Sequence, residues 1–572
     1  MNDDKKGMDR GLTSYGDAGF SRFLRRAFIK GMGYSEDALS KPVVGIANTY
    51  SGFNACHGNV PDLVEAVKRG AMLAGCLAVE FPTISLHESF AYPTSMYLRN
   101  LMALDTEEMT RALPMDAIVL IGGCDKTVPA QLMGALSADI PAVQLVSGPM
   151  MTGSHRGTRV GACTDCRRYW AGYRAGDVDD REIADVNEQL IPTVGTCSVM
   201  GTASTMALIA EALGMALPNS ACAPAVSADR RRIAEACGAT AAALAANPVK
   251  PSQIVTVEAV ENALRVLLAV GGSTNGLIHL TAIAGRVGIA VDLEKLDAIA
   301  RETPVLVDLK PSGDYYMEDL HRAGGLPRIL HEIRHLLNLD VMTVTGKSLG
   351  DVLEDHRPEW PQEIVRPASN PIYREGGLAV LKGNLAPAGA IVKQSAASLD
   401  LMVHEGRAVV FANLEDLADR IDADDLDVAA DDVLVLQNIG PKGAPGMPEA
   451  GLIPIPKKLA RAGVKDMVRI SDGRMSGTAS GTIVLHVSPE SAIGGPLALV
   501  RTGDRIRLDV PARSLELLVD DAELETRRKD LKPVSGAAER GYRRLFLDHV
   551  TQAEDGVDFD FARPEMTTKS PR

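Results

Sequence analysis

Short apolar runs that stop abruptly at polar residues recur in the first part of the chain. Val43-Val-Gly-Ile-Ala-Asn48, Pro82-Thr-Ile-Ser-Leu86 and Ala117-Ile-Val-Leu-Ile121 each have the length of a buried strand and give way at once to polar or glycine-rich residues. Between them, apolar positions return at helical spacing over Val60–Leu73 and Pro93–Leu104. Buried strands alternating with helices predict a parallel α/β sheet, in which ligands gather at the carboxyl ends of the strands. His87-Glu88-Ser89 and Gly122-Gly-Cys-Asp-Lys126 fall at such ends.

From about Ala203 to Leu339 the pattern is mostly helical, and the prolines and charges of His356–Pro371 read as a linker. Beyond it the character changes. Gly377–Val392 is rich in Gly and Ala, and Ala408–Phe411 and Val433–Gln437 are short strands. Arg505-Ile-Arg-Leu-Asp-Val510 alternates charged and apolar positions as a half-buried strand does. The expected fold class is α/β, with an N-terminal parallel-sheet domain over 1–365 and a β-rich, barrel-like C-terminal domain over 372–572.

Length and composition agree with this division. A chain of 572 residues exceeds the roughly 250–300 residues that one core supports. With 46% hydrophobic and 23% charged residues it has the composition of a globular protein. Sixty Lys and Arg against 74 Asp and Glu leave a net charge of −14, without the cationic excess that nucleic acid demands. No apolar run reaches the roughly 18 residues of a membrane span. The start, Met1-Asn-Asp-Asp-Lys-Lys, does not read as a signal peptide. A soluble, cytoplasmic protein acting on a small molecule is expected.

Eight cysteines are too few for a disulfide framework, and none follows Cys237. In a reducing compartment such thiols serve metals or catalysis more often than crosslinks. Cys124, in Ile121-Gly-Gly-Cys-Asp-Lys-Thr-Val-Pro129, stands between a buried strand and a helix start. Backbone N–H groups there favour a thiolate, and the two glycines admit a bulky ligand. A buried thiol in a tight turn is the plain alternative, but the adjacent charges of Asp125 and Lys126 at a strand end favour function. Cys197 repeats the arrangement in Gly195-Thr-Cys-Ser-Val-Met-Gly-Thr202, and Cys56 lies in the polar loop after the first strand. Spacing alone does not separate a three-cysteine site from three unrelated thiols. Cys163 and Cys166 form a C-x-x-C with no second half, and are read as structural.

Glu88, Asp125 and Glu449 sit at strand ends or Gly/Pro turns, and a few carboxylates of this kind suit magnesium. Ser471-Asp-Gly-Arg-Met-Ser-Gly-Thr-Ala-Ser-Gly481 is a glycine- and hydroxyl-rich loop without the spacing of a nucleotide phosphate loop. It reads equally as an active-site loop and as a turn between strands.

Taken together, Gly122-Gly-Cys-Asp-Lys-Thr-Val-Pro129, Gly195–Ser204, Gly271-Gly-Ser-Thr-Asn275 and Ser471-Asp-Gly-Arg-Met-Ser-Gly477 resemble the dihydroxy-acid and sugar-acid dehydratase family over nearly the whole chain. Ile84-Ser-Leu-His-Glu-Ser-Phe90, Thr164-Asp-Cys-Arg-Arg-Tyr-Trp170 and Ser198-Val-Met200 look like its sugar-acid branch. The resemblance implies an iron–sulfur cluster held by Cys56, Cys124 and Cys197, of the two-iron type in preference to four-iron, and a magnesium ion held by Glu88, Asp125, Glu449 and a carbamylated Lys126. It also implies Ser476 as the base that removes the C2 proton, Thr478 as a positioning hydroxyl, and a homodimer or homotetramer. The implied reaction converts an aldonate such as arabinonate, xylonate, fuconate or galactonate to a 2-keto-3-deoxy acid. Dihydroxy-acid dehydration in branched-chain amino-acid synthesis is the alternative.

Overall fold

The computed structural model describes residues 6–531, 538 and 540–564. Four parallel strands, β1 (Val43–Asn48), β2 (Leu77–Pro82), β3 (Ala117–Gly122) and β4 (Ala142–Val146), form a sheet in the order β2-β1-β3-β4. Every residue of β3 and β4 is buried. A parallel strand covered on both faces reads as a continuous apolar run rather than an alternating one. Helices Val60–Leu73 and Ala228–Ala246 pack on each other and on this sheet. Their backbones approach closely where a Cβ on Gly70 would stand 1.9 Å from the Glu235 carbonyl oxygen.

Two elements differ from the sequence expectation. β2 occupies Leu77–Pro82 rather than Pro82–Leu86, because its partner β1 ends at Asn48 and leaves later residues no ladder to join. The Ile84 amide donates instead to Asp105 Oδ2 at 2.9 Å. The helix expected over Pro93–Leu104 runs over Ser95–Ala112, since Thr106 and Thr110 in its more polar second half are buried.

After a hairpin of β5 (Gly153–His155) and β6 (Thr158–Val160) and the helical stretch, eight strands close a barrel. They are β7 (Ala379–Gly383), β8 (Ala386–Val392), β9 (Val403–Phe411), β10 (Val433–Leu436), β11 (Arg469–Ser471), β12 (Ile483–Ser488), β13 (Arg505–Asp509) and β14 (Ser514–Leu517). Their order around the barrel is β10-β11-β12-β8-β7-β14-β13-β9. Strand alternation divides their apolar residues between two clusters. Val433 and Val435 pack with Ala408, Ile470 and Val484, whereas Leu434 and Leu436 pack with Phe411 and Leu417.

The stretch read as a linker is stitched to the chain before it, with the Asp308 amide donating to the Ile364 carbonyl and Arg366 to Leu306, each at 2.8 Å. The end of the chain returns to the first part. Phe546 and Phe559 cluster with Met96, Ile278 and Met447, and Arg99 donates to the carbonyls of Gly556 at 2.9 Å and Val557 at 2.8 Å. Among the described residues, no helix is long and apolar enough to cross a membrane.

Candidate active site

The site lies where the loops after β1, β2 and β3 meet the loops of the barrel. Cys56 sits in a single helical turn, Ala55–His57, after β1, and Cys124 follows β3 just before helix Thr127–Ala138. His57 joins these two loops. Its Nδ1 donates to the Thr49 carbonyl at 2.8 Å, leaving Nε2 to accept from the amides of Gly123 at 3.0 Å and Cys124 at 3.2 Å. Burial pushes its pKa down to about 4, so the imidazole is neutral.

Cys56 Sγ, Cys124 Sγ and a ring nitrogen of His87 lie within 4.8 Å of one another. Cys124 foremost, then burial and the charges of Cys124, Cys197 and Asp125, push the Cys56 thiol well up. Cys163 foremost, then burial, Cys163 again and Cys124 do the same to Cys197. The Gly195 amide donates to the Ala55 carbonyl at 3.1 Å, which sets the Cys197 loop against the Cys56 turn and brings the three predicted thiols into one locality. Cys163, set aside by the sequence reading, belongs there too, its Sγ 3.7 Å from Cys197 Sγ.

Oxygen atoms of Glu88, Asp125 and Glu449 form a second group within 4.8 Å of one another. Lys126, wholly buried, reaches Asp125 and lies 3.5 Å from Glu88 Oε2. Arg474, also wholly buried, bridges the sheet loops and the barrel. It donates to Glu449 Oε1 at 2.5 Å, to Glu88 Oε1 at 3.1 Å and to Thr94 Oγ1 at 2.7 Å. Burial raises the Glu88 carboxyl, but Arg474, Lys126 and the hydroxyls of Ser95 and Thr94 outweigh it and hold Glu88 well below the carboxylate range. Burial and the neighbouring Glu88 charge raise Glu449. Asn275 Nδ2 ties Glu449 Oε1 at 3.3 Å to the Met475 carbonyl at 3.0 Å.

The next residues along that loop carry the hydroxyls. Ser476 Oγ lies 2.8 Å from Thr478 Oγ1, and Arg167 Nε donates to Thr478 Oγ1 at 3.3 Å. A Cβ on Gly201 would meet Thr478 Cγ2 at 2.8 Å and Cys197 Cβ at 3.9 Å, which places Thr478 beside the thiol group. Lys393, wholly buried, donates to the Gly477 carbonyl at 3.3 Å. The structure thus brings the predicted residues to one seam, with Cys56, Cys124 and Cys197 on one side and Glu88, Asp125, Lys126 and Glu449 on the other. His57, His87, Asn275 and Arg474 were not read from sequence as part of it. Each stands beside or inside a segment that was singled out, and adjacency was the available signal.

Models of the dihydroxy-acid/6-phosphogluconate dehydratase N-terminal and C-terminal regions match residues 41–352 and 363–557. The chain belongs to this dehydratase family. It is a hydro-lyase. The dehydratase is 45% identical over 552 residues to an L-arabinonate dehydratase of Rhizobium leguminosarum bv. trifolii, covering 96% of this chain and 95% of the relative. It is 46% identical over 539 residues to a 6-deoxy-6-sulfo-D-gluconate dehydratase of Pseudomonas putida, covering 94% and 93%. A dihydroxy-acid dehydratase of Methanothrix thermoacetophila is 39% identical over 551 residues, covering 94% and 98%.

Two outcomes follow from the geometry of this dehydratase. In chelator, Arg474→Met should cost about 3 kcal/mol, the order expected when one partner leaves a buried charge cluster. A loss below about 1 kcal/mol in denaturant unfolding would place Arg474 outside that role. The His57 pKa is lowered on folding from 6.5 to about 4, so the unfolded chain binds more protons between those values. Stability should therefore fall as pH drops through that window, by up to about 1.4 kcal/mol per pH unit from this group. His57→Gln should flatten the decline between pH 6.5 and 5, and an unchanged slope would contradict the neutral, buried imidazole.

Proposed function

We propose that this family member is a sugar-acid dehydratase that removes water from a 2,3-dihydroxy aldonate, such as arabinonate, xylonate, fuconate or galactonate, to give a 2-keto-3-deoxy acid. The observation that carries this reading is the pair of hydroxyls, Ser476 and Thr478, joined at 2.8 Å in the loop where a thiol group and a carboxylate group meet. The relatives named for L-arabinonate and sulfogluconate, at 45% and 46% identity, support a sugar acid. The relative named dihydroxy-acid dehydratase, at 39%, supports the second reading, branched-chain dihydroxy-acid dehydration.

The donor sets fit two different groups. Thiol sulfurs suit iron, so Cys56, Cys124 and Cys197 would hold an iron–sulfur cluster, a two-iron cluster on this reading. Hard oxygens suit magnesium, so Glu88, Asp125 and Glu449 would hold it, with Lys126 as the carbamate. The position of Lys126 among those carboxylates supports that modification, which would turn a cation into a further oxygen donor. When bound, the two groups supply Lewis acidity toward the substrate carboxylate and its C2 and C3 hydroxyls.

Ser476 Oγ, having given up its own proton to become the alkoxide, takes the C2 proton and becomes the hydroxyl. Thr478 Oγ1, accepting from Arg167, directs its own proton to Ser476 Oγ and steadies negative charge there. Arg474 neutralises Glu88 and Glu449 and fixes both against the substrate end of the site. The C3–O bond breaks as the C2=C3 bond forms, the departing hydroxide takes the proton from Ser476 and leaves as water, the Ser476 alkoxide is restored, and the enol becomes the 2-keto acid in water. A cytoplasmic location fits the free thiols. Phe20, Phe23, Phe28 and Met32, exposed along the N-terminal helix and its cap, fit a homodimer or homotetramer.

The test is 2-keto acid release by the metal-loaded protein from a panel of aldonates and dihydroxyisovalerate at equal concentration. Turnover of an aldonate with little on dihydroxyisovalerate is expected, and the reverse preference would replace the reading by its alternative. Ser476→Ala should lower kcat by about 10²–10⁴ with KM changed only a few-fold. An unchanged kcat would remove Ser476 as the base.

A further inference from the structure

We propose that Cys163 is a redox-modification site: in the cluster-free chain it closes a disulfide with Cys197 and keeps that cysteine from binding iron until the bond is reduced. This consequence for iron rests on the reading of Cys197 as a cluster ligand, whereas the disulfide itself does not.

The geometry favours this pair. Cys163 caps the N-terminus of helix Thr164–Ala175, and its Sγ lies 3.7 Å from Cys197 Sγ. A disulfide needs about 2.05 Å, so the two sulfurs must close the remaining gap as the bond forms. The helix start is fixed beside the serine loop, with Thr164 Oγ1 donating to the Thr478 carbonyl at 3.1 Å and Arg167 holding the Thr478 hydroxyl at 3.3 Å. Cys163 and Cys197 are both partly exposed, whereas Cys56 and Cys124 are buried. The proposed dehydration gives Cys163 no role. Cys166, one helical turn on, also partly exposed and also interacting with the Cys163 thiol, is the competing partner.

With hydrogen peroxide as oxidant the step balances. The Cys163 sulfur attacks one peroxide oxygen, the O–O bond breaks, and a sulfenic acid forms with release of one water. The Cys197 sulfur then attacks the sulfenic sulfur, the S–S bond forms, the S–O bond breaks, and a second water leaves. Two thiols have lost two electrons and two protons, and peroxide has become two waters. A dithiol reductant reverses the bond by thiol–disulfide exchange.

The experiment uses the full chain stripped of iron with chelator, treated with hydrogen peroxide, digested without reduction and mapped by mass spectrometry. Wild type, Cys163→Ser and Cys166→Ser are compared, and iron and sulfide uptake is measured before and after dithiothreitol. The expected result is a Cys163–Cys197 crosslink in wild type and in Cys166→Ser and none in Cys163→Ser. Iron uptake by oxidised wild type should fall at least several-fold and recover on reduction, while Cys163→Ser takes up iron without reductant. A Cys163–Cys166 crosslink, over-oxidised Cys197 without any crosslink, or a Cys163–Cys197 crosslink that leaves iron uptake unchanged would each overturn the proposal. Full iron uptake by unoxidised Cys197→Ser would show instead that the ligand reading has failed, with the crosslink map still reporting on the pair.

Discussion

The site depends on one buried cation. Arg474 comes from a barrel loop and lies between Glu449 of the barrel and Glu88 of the loop after β2, residues 386 positions from it in sequence in the case of Glu88. Carboxylate oxygens of Glu88, Asp125 and Glu449 approach within 4.8 Å of one another, an arrangement that repels itself unless positive charge is placed among them. Arg474 is wholly buried at that point and is the cation that remains when Lys126 serves as the proposed carbamate. Because the guanidinium reaches both layers at once, the charge that makes the carboxylate group tolerable also sets the position of the barrel against the sheet.

The remaining contacts across the seam reinforce the same alignment. Asn275 ties Glu449 to the Met475 carbonyl, and so fixes the loop that carries Ser476. On the thiol side, neutral His57 accepts two backbone N–H groups and holds the Cys124 turn against the Cys56 loop. Farther out, Arg286 pairs with Asp558 in a wholly buried ion pair, anchoring the returning end of the chain on the helices of the first part. The thiols and the carboxylates are thereby brought side by side, Cys124 Sγ lying 3.5 Å from Asp125 Oδ1. On the proposed reading, this adjacency would let two unlike Lewis acids work on one substrate.

Local pattern carried much of the fold. β3 is apolar on both faces and helix Val60–Leu73 has a regular apolar stripe, so both stand where their sequences place them. The Pro82–Leu86 run looked like a strand because Ile84 and Leu86 are apolar residues of the main core, but beyond Pro82 it has no strand to pair with. The barrel was expected from short strands and turns, while its closure and strand order depend on pairings distant in sequence, such as β14 with β7. Family-like segments carried Cys56, Cys124, Cys197, Glu88, Asp125, Lys126, Glu449, Ser476 and Thr478, and the fold brings these residues to one place. Nothing in the spacing around Arg474 or His57 says what either side chain reaches. The sequence pairs Cys163 only with Cys166, and its neighbourhood to Cys197 comes from the fold.

The most direct measurement is anomalous X-ray diffraction from crystals of the metal-loaded protein with manganese in place of magnesium, recorded at the iron and manganese edges. Iron signal against the sulfurs of Cys56, Cys124 and Cys197, with manganese among Glu88, Asp125, Glu449 and the Lys126 side chain, is the expected result. Iron held by the carboxylates, or a cluster lacking one of those three cysteines, would contradict the division of the seam into a sulfur site and an oxygen site.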